Sequence, residues 1–129
     1  MKIPFNKPYL TGKEKEYTED ALQRRELSGD GYYTNKVTSL LENKLSLEKV
    51  LMTTSCTHAL EMAAELIELK EGDEVIMPSF TFPSTANAVI KREARPVFAE
   101  IREDTLNIDP ADIEKKITDK TRAVIPVHY

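Results

Sequence analysis

An α/β domain with a mostly parallel sheet is what this sequence predicts, on three observations. From Val50 onward, short apolar runs alternate with segments of helical period, in the order β-α-β-α-β-α-β. Turn and cap signals fall between the runs: Glu71-Gly72-Asp73, Pro78 and Asp109-Pro110. The chain has 129 residues, 40% hydrophobic and 31% charged, enough for one domain with a core and too apolar for disorder.

Met1–Leu10 reads as extended, since Pro4 and Pro8 oppose helix. Thr11-Gly12-Lys13-Glu14 fits a capping box, with the threonine as cap and the glutamate reaching back. The following helix runs to about Arg25, with a thin apolar stripe of Tyr17, Ala21 and Leu22. Its acids Glu14, Glu16, Glu19 and Asp20 form a solvated face. Ser28–Thr34 reads as a loop in which Gly29 and Gly31 can take positive φ. Val37, Leu40, Leu41 and Leu45 recur at helical spacing.

Val50–Met52 is the first strand, and Thr57–Leu69 a helix with Leu60, Ala63, Ala64 and Ile67 as its apolar face. Glu74–Met77 is the second strand, closed by Pro78. Ser79–Pro83 is a loop, Ser84–Lys91 a helix and Arg95–Ala99 the third strand. Asp109 caps a helix carrying Ile113 and Ile117, with Pro110 in its first turn. Ala123–Val127 is the fourth strand.

Several function classes are disfavoured. The net charge is −4 and no basic tract or basic–aromatic stripe occurs, which argues against nucleic acid. No apolar run approaches membrane-spanning length, and the N-terminus lacks the apolar stretch of a signal peptide. The lone Cys56 cannot form an internal disulfide, which fits a reducing cytoplasm. His58 and His128 are the only histidines and stand at no metal-ligand spacing.

In parallel sheets ligands bind beyond the carboxyl ends of strands. Three loops qualify: Thr54–Thr57, Ser79–Pro83 and His128-Tyr129. Ser55-Cys56-Thr57-His58 opens a helix, where free N–H groups and the positive dipole end favour an anion. Plain helix capping explains the same residues, and on spacing alone it is favoured; no Walker pattern accompanies them. Phe80 and Phe82 are placed to stack on a planar ring, although aromatics beside a strand are more often core. Cys56 sits where a thiolate would be stabilised, but no pattern ties it to a base, and an inert cysteine is the simpler reading.

Taken together, the motifs resemble one family. They are IPFNKP (Ile3–Pro8), SGDG (Ser28–Gly31), TSCTHALEMAA (Thr54–Ala64), GDEVIMPSFTFPSTANA (Gly72–Ala88), DTLNID (Asp104–Asp109) and ITDKTRAVIPVHY (Ile117–Tyr129). The series is similar to the N-terminal portion of the DegT/DnrJ/EryC1/StrS sugar aminotransferases. SGDG, SCT and DTLNID are most similar to the subgroup that makes TDP-4-amino-4,6-dideoxygalactose (TDP-fucosamine).

The resemblance implies a type I aminotransferase fold dependent on pyridoxal phosphate, a mostly parallel sheet with helices on both faces, incomplete here. It implies a region 1–46 of extended segment and helices near the dimer and substrate site, and a region 47–129 that begins the large cofactor-binding domain. Ser55, Cys56, Thr57 and His58 would hold the cofactor phosphate, chiefly by the Thr57 and His58 N–H groups and the Thr57 hydroxyl, and Phe82 would stack on the pyridine ring. Gly29, Asp30, Gly31, Tyr32 and Tyr33 would lie near the nucleotide-sugar site of a cytoplasmic homodimer. That enzyme would move an amino group from glutamate to a TDP- or UDP-linked 4-keto-6-deoxyhexose for lipopolysaccharide and other surface polysaccharides.

Family members are about three times this length, as two-domain enzymes are. The aspartate that pairs with the pyridinium nitrogen and the lysine that binds the cofactor as a Schiff base have no counterpart in this sequence. Lys70, Lys91, Lys115 and Lys116 fall in ordinary surface contexts. The expectation is therefore a truncated chain with no catalytic residue of its own, inactive alone. The alternative is a non-catalytic assembly module that pairs with a separately encoded remainder.

Overall fold

The computed structural model describes residues 3, 4 and 6–128. The chain forms two compact units, Met1–Met52 and Thr53–Tyr129.

The first unit holds helices α1 (Glu14–Arg24) and α2 (Tyr32–Leu45). Neither carries a buried residue. A polar and aromatic cluster joins them in place of an apolar core. The Tyr33 hydroxyl donates to Asp20 at 2.9 Å, and Asp20 also accepts from the Arg24 guanidinium. The Tyr17 and Tyr33 rings lie 5.6 Å apart, and Arg24 sits 3.8 Å over the Tyr32 ring. Burial, and then the bond to Asp20, push the Tyr33 phenol up to about 12. Asp20 therefore belongs to the helix contact and not to a solvated face.

Half of the expected capping box forms. Glu14 reaches back and accepts from the Thr11 N–H at 2.6 Å, the Thr11 hydroxyl at 2.9 Å and the Gly12 N–H at 2.9 Å. Lys13, not Thr11, is the N-cap residue, and the Thr11 hydroxyl accepts the Lys13 N–H at 3.4 Å in place of one from the helix. The Glu14 carboxyl is lowered from 4.5 to about 2, first by its own backbone N–H and then by Thr11. A carboxyl lowered on folding stabilises fully above its unfolded value and loses that contribution as pH falls through the folded one. The start of α1 is thus expected to hold above pH 4.5 and loosen between there and about 2. Carboxyl-resolved NMR titration checks this, and Glu14→Gln is expected to abolish the transition.

Tyr32, Tyr33 and Thr34 are helical, not loop. The Glu26 carboxylate accepts the Tyr32 N–H at 2.9 Å and so supplies the cap that Gly31 lacks. Neither Gly29 nor Gly31 takes positive φ; Asp30 does, at 60°. A Cβ on Gly31 would lie 3.2 Å from the Glu26 carbonyl oxygen, a tight approach that a larger residue would have to relieve by a small shift. Residues 6–10 carry no helix or strand, and Met1, Lys2 and Phe5 lie outside the described residues.

The second unit runs α3 (Cys56–Leu66), β1 (Glu74–Pro78), α4 (Pro83–Ile90), β2 (Arg95–Ala99), α5 (Pro110–Lys116) and β3 (Thr121–Val124). Its sheet has the order β2-β1-β3, and both pairings are parallel. Parallel crossovers are right-handed almost without exception. The steps from β1 to β2 and from β2 to β3 run in opposite directions across the sheet, so their helices fall on opposite faces. Val75 and Met77 of β1 pack with Ala64 of α3 and Val89 of α4. Ile76 points the other way, into Ala99, Ile108 and Ile113 of α5. All five residues of β1 are buried, as befits a central strand covered twice.

The turn Glu71-Gly72-Asp73 forms as expected, with Gly72 at φ +90°. Asp109 caps α5 by accepting the Ala111 N–H at 3.0 Å. At the start of the sheet the buried Glu74 accepts from Arg95 on β2 and from the Thr118 hydroxyl, at 2.9 Å, before β3. One carboxylate thus joins the entrances of three strands, and Arg95 first, then Thr118, holds it below the usual carboxylate range.

Three expectations fail here. Val50–Met52 is not a strand: the sheet holds only β2, β1 and β3, Leu51 and Met52 are exposed, and the Val50 N–H goes to the Glu42 side chain instead of a ladder. β3 begins at Thr121 and not Ala123; the Ile125 N–H still reaches the Ile76 carbonyl at 2.8 Å, and Pro126 then has no N–H to continue the ladder. Helix α3 ends at Leu66, and of its expected apolar face only Ala64 is buried.

Candidate functional site

The second unit has a crevice of about 450 Å³ beyond the carboxyl ends of β1 and β3. Three stretches line it: Cys56, Thr57 and Leu60 of α3; Thr81, Phe82, Ser84 and Thr85 between β1 and α4; and Ile125, Pro126 and Val127 after β3. The second is the expected loop after β1; the first includes Cys56 and Thr57 of the expected Thr54–Thr57 stretch, which opens α3 without a strand before it. The third lies just before the expected His128-Tyr129: His128 does not line the crevice, and Tyr129 lies outside the described residues.

Of the expected loop residues, Ser55 and His58 do not line the crevice, and Ser55 instead shapes the helix start beside it. It takes extended backbone and caps α3, its hydroxyl accepting the His58 N–H at 3.2 Å. The Ala59 N–H closes onto the Ser55 carbonyl at 3.1 Å. These bonds occupy the third and fourth N–H groups of the helix start. The first two, at Cys56 and Thr57, have no carbonyl behind them within the helix. Both residues line the crevice. The expected donor at His58 is therefore taken by Ser55, and Cys56 and Thr57 carry the free pair. The His58 ring turns to Thr54, with Nδ1 2.6 Å from the hydroxyl oxygen. Cys56 is an exposed free thiol.

Phe82 ends the loop after β1, where Pro83 opens α4. Its ring is 74% exposed, and Phe80 is 47% exposed, so neither is a core aromatic. The helix N-termini of α3 and α4 both line the crevice, and no carboxylate or ammonium does. Two positive dipole ends without competing charge suit an anion. Leu60, Ile125, Pro126 and Val127 add an apolar wall. The arrangement sets an apolar wall beside a hydroxyl-bearing helix start and an exposed aromatic ring.

No lysine lines this crevice among the described residues. Lys91 pairs with Glu61 and Lys116 with Asp112. No cluster of three or more His, Cys, Asp or Glu able to hold a metal occurs among the described residues. Thr81 and Thr85 escaped attention in the sequence. Their hydroxyls stand 2.9 Å apart, and the signal was two threonines four residues apart around Phe82-Pro83. Gly29, Asp30, Gly31, Tyr32 and Tyr33 lie in the first unit, at the start of α2, and none of them lines the crevice.

The model of the DegT/DnrJ/EryC1/StrS aminotransferase family matches residues 8–129. The GDP-perosamine synthase of Escherichia coli O157:H7 is 36% identical over 126 residues, which is 98% of this chain and 35% of that protein. Among solved structures, the aminotransferase TlmJ from Streptoalloteichus hindustanus superposes with a TM-score of 0.85 at 30% identity, over 95% of this chain and 34% of that one. The PMP form of the putative sugar aminotransferase Spr1654 from Streptococcus pneumoniae does so with a TM-score of 0.80 at 32% identity, over 96% of this chain and 31% of that one. The chain thus spans about a third of the length of the relatives it matches.

Proposed function

We propose, from the premise that this chain belongs to the DegT/DnrJ/EryC1/StrS aminotransferase family, that its crevice is the phosphate-and-ring portion of a pyridoxal phosphate site in a nucleotide-sugar transaminase. The observation that carries this reading is the convergence in one crevice of two free helix N–H groups, the Thr57 hydroxyl and the exposed Phe82 ring. Pyridoxal phosphate is the family's cofactor, and it is an anionic group on a flat heteroaromatic ring.

The chain's own residues divide the task. Cys56 and Thr57 hold the phosphate at the dipole end of α3, and Ser55 keeps that helix start in shape. Phe82 covers one face of the ring, and Leu60 with Ile125 excludes water beside it. When bound, the cofactor supplies an electron sink for moving an amino group.

The whole enzyme, in this reading, is a cytoplasmic homodimer. It takes the amino group from glutamate and places it on a TDP- or UDP-linked 4-keto-6-deoxyhexose destined for lipopolysaccharide or another surface polysaccharide. The TDP-fucosamine subgroup rests on the SGDG, SCT and DTLNID stretches. The loop of Gly29, Asp30 and Gly31, with Tyr32 and Tyr33, is the candidate for sugar-nucleotide contact. Among the described residues no lysine lines the crevice, so in this reading the chain by itself holds the cofactor without a covalent bond and transfers nothing.

Titration of the ¹⁵N-labelled chain tests the site. Pyridoxal phosphate and inorganic phosphate are both expected to move the Cys56 and Thr57 amide signals, and only pyridoxal phosphate to move Phe82. If neither ligand moves either amide, the reading is wrong. Inactivity has a separate check. Borohydride treatment with pyridoxal phosphate is expected to label lysines weakly and without preference; stoichiometric labelling of one lysine would overturn it.

A further inference from the structure

We propose that the paired hydroxyls of Thr81 and Thr85 are a positioning device for Phe82, fixing the direction of its ring over the crevice. The inference deepens the pyridoxal phosphate reading and rests on it for the ligand, but not for the geometry.

Phe82 has little of its own to hold it. Its ring is 74% exposed, and no side-chain cap bond orders its backbone at the start of α4. A free aromatic side chain loses rotamer freedom when it stacks, and that loss opposes binding. What the structure supplies instead is a clamp on both sides of the residue. Thr81, just before it, places its hydroxyl 2.9 Å from that of Thr85. Thr85, three residues after it, donates its N–H to the Phe82 carbonyl at 3.0 Å. Thr85 is 5% exposed, so its side chain is held by α4 and cannot follow the loop outward. One buried residue therefore holds both the Phe82 carbonyl and the side chain of the residue before it.

The polar pair also lacks a simpler reason to be there. A valine would fill the volume of Thr85 against Ala88 and Val89 of the same helix with no hydroxyl to satisfy. Keeping a hydroxyl in a nearly closed position makes sense only if its partner is useful, and its partner is the residue that precedes the exposed ring.

The test uses Thr85→Val and Thr85→Ser in the 129-residue chain, with side-chain NMR and ligand titration. In the free protein, Thr85→Val is expected to average the Phe82 χ1 couplings toward a rotamer mixture, and Thr85→Ser to restore the ordered value. In titration, Thr85→Val is expected to weaken pyridoxal phosphate by about threefold to tenfold, as loss of one hydrogen bond implies, and to leave inorganic phosphate unchanged. A merely structural residue would weaken both ligands or neither, and serine would not rescue selectively. An unchanged Phe82 ring in Thr85→Val overturns the proposal, whatever the ligands do. An ordered ring in the parent with no binding of either ligand condemns the cofactor reading and leaves the clamp standing.

Discussion

Ile76→Ala is expected to cost about 3–4 kcal/mol of folding free energy, as fully buried isoleucines do when truncated. Ile76 is 0% exposed and sits in the middle of β1, the strand between the other two. Its side chain is the centre of the cluster on the α5 face, against Ala99 and Ile108, with Val97 and Ile113 around them. Two of those neighbours are alanine or edge residues and cannot collapse into the space. A domain with total stability on the order of 5–15 kcal/mol would lose a large share of it. Urea unfolding monitored by far-UV circular dichroism gives the number: the midpoint should fall with the slope unchanged. Leu66→Ala is the control, since Leu66 is 71% exposed at the end of α3 and its loss is expected within about 0.5 kcal/mol. A cost below about 1 kcal/mol for Ile76→Ala would mean that this face is not a packed core.

Thr57→Asp is expected to weaken phosphate and pyridoxal phosphate binding by at least a hundredfold while leaving the fold as stable as before, or slightly more so. The two effects have opposite signs for one physical reason. Thr57 stands in the first turn of α3, where a carboxylate complements the helix dipole and adds about 0.3–1 kcal/mol to helix stability. The same carboxylate would stand where the phosphate is proposed to sit. It removes a hydroxyl donor and adds like-charge repulsion, together about 3 kcal/mol or more. Thr57→Val isolates the hydroxyl and is expected to cost about tenfold. Titration read at the Cys56 amide, beside thermal unfolding of each variant, separates the effects. If Thr57→Asp binds phosphate normally, the α3 terminus is a helix cap and nothing more.

Much of the second unit could be read from the chain because its signals are local. Gly72 marks a turn that needs positive φ, Asp109-Pro110 marks a helix start, and the apolar runs at Glu74–Pro78 and Arg95–Ala99 mark strands. Val50–Met52 carries an equally good apolar run and forms no strand, because a strand is defined by its neighbours and the Val50 N–H is taken by the Glu42 side chain instead of a ladder partner. The Tyr32–Thr34 error has the same origin: the residue that caps α2 is Glu26, outside any local capping pattern. In the site, a capping role within Ser55–His58 was legible, but Ser55 as the cap and its choice of the His58 N–H were not. That bond decides which donors remain free.

Alternation of runs and turns, read residue by residue, was sufficient for a parallel α/β domain with a hydroxyl-rich helix start, because those features depend on bonds a few residues long. The motif series was sufficient for the family, now matched over residues 8–129. Tertiary structure alone decided that β1 is central, that Ile76 and Met77 face different cores, and that Phe82 is exposed beside Thr57. Those facts depend on which segments meet: parallel pairing aligns the ends of β1 and β3, which brings Phe82 and Ile125 together, and the packing of α3 on that face of the sheet adds Thr57.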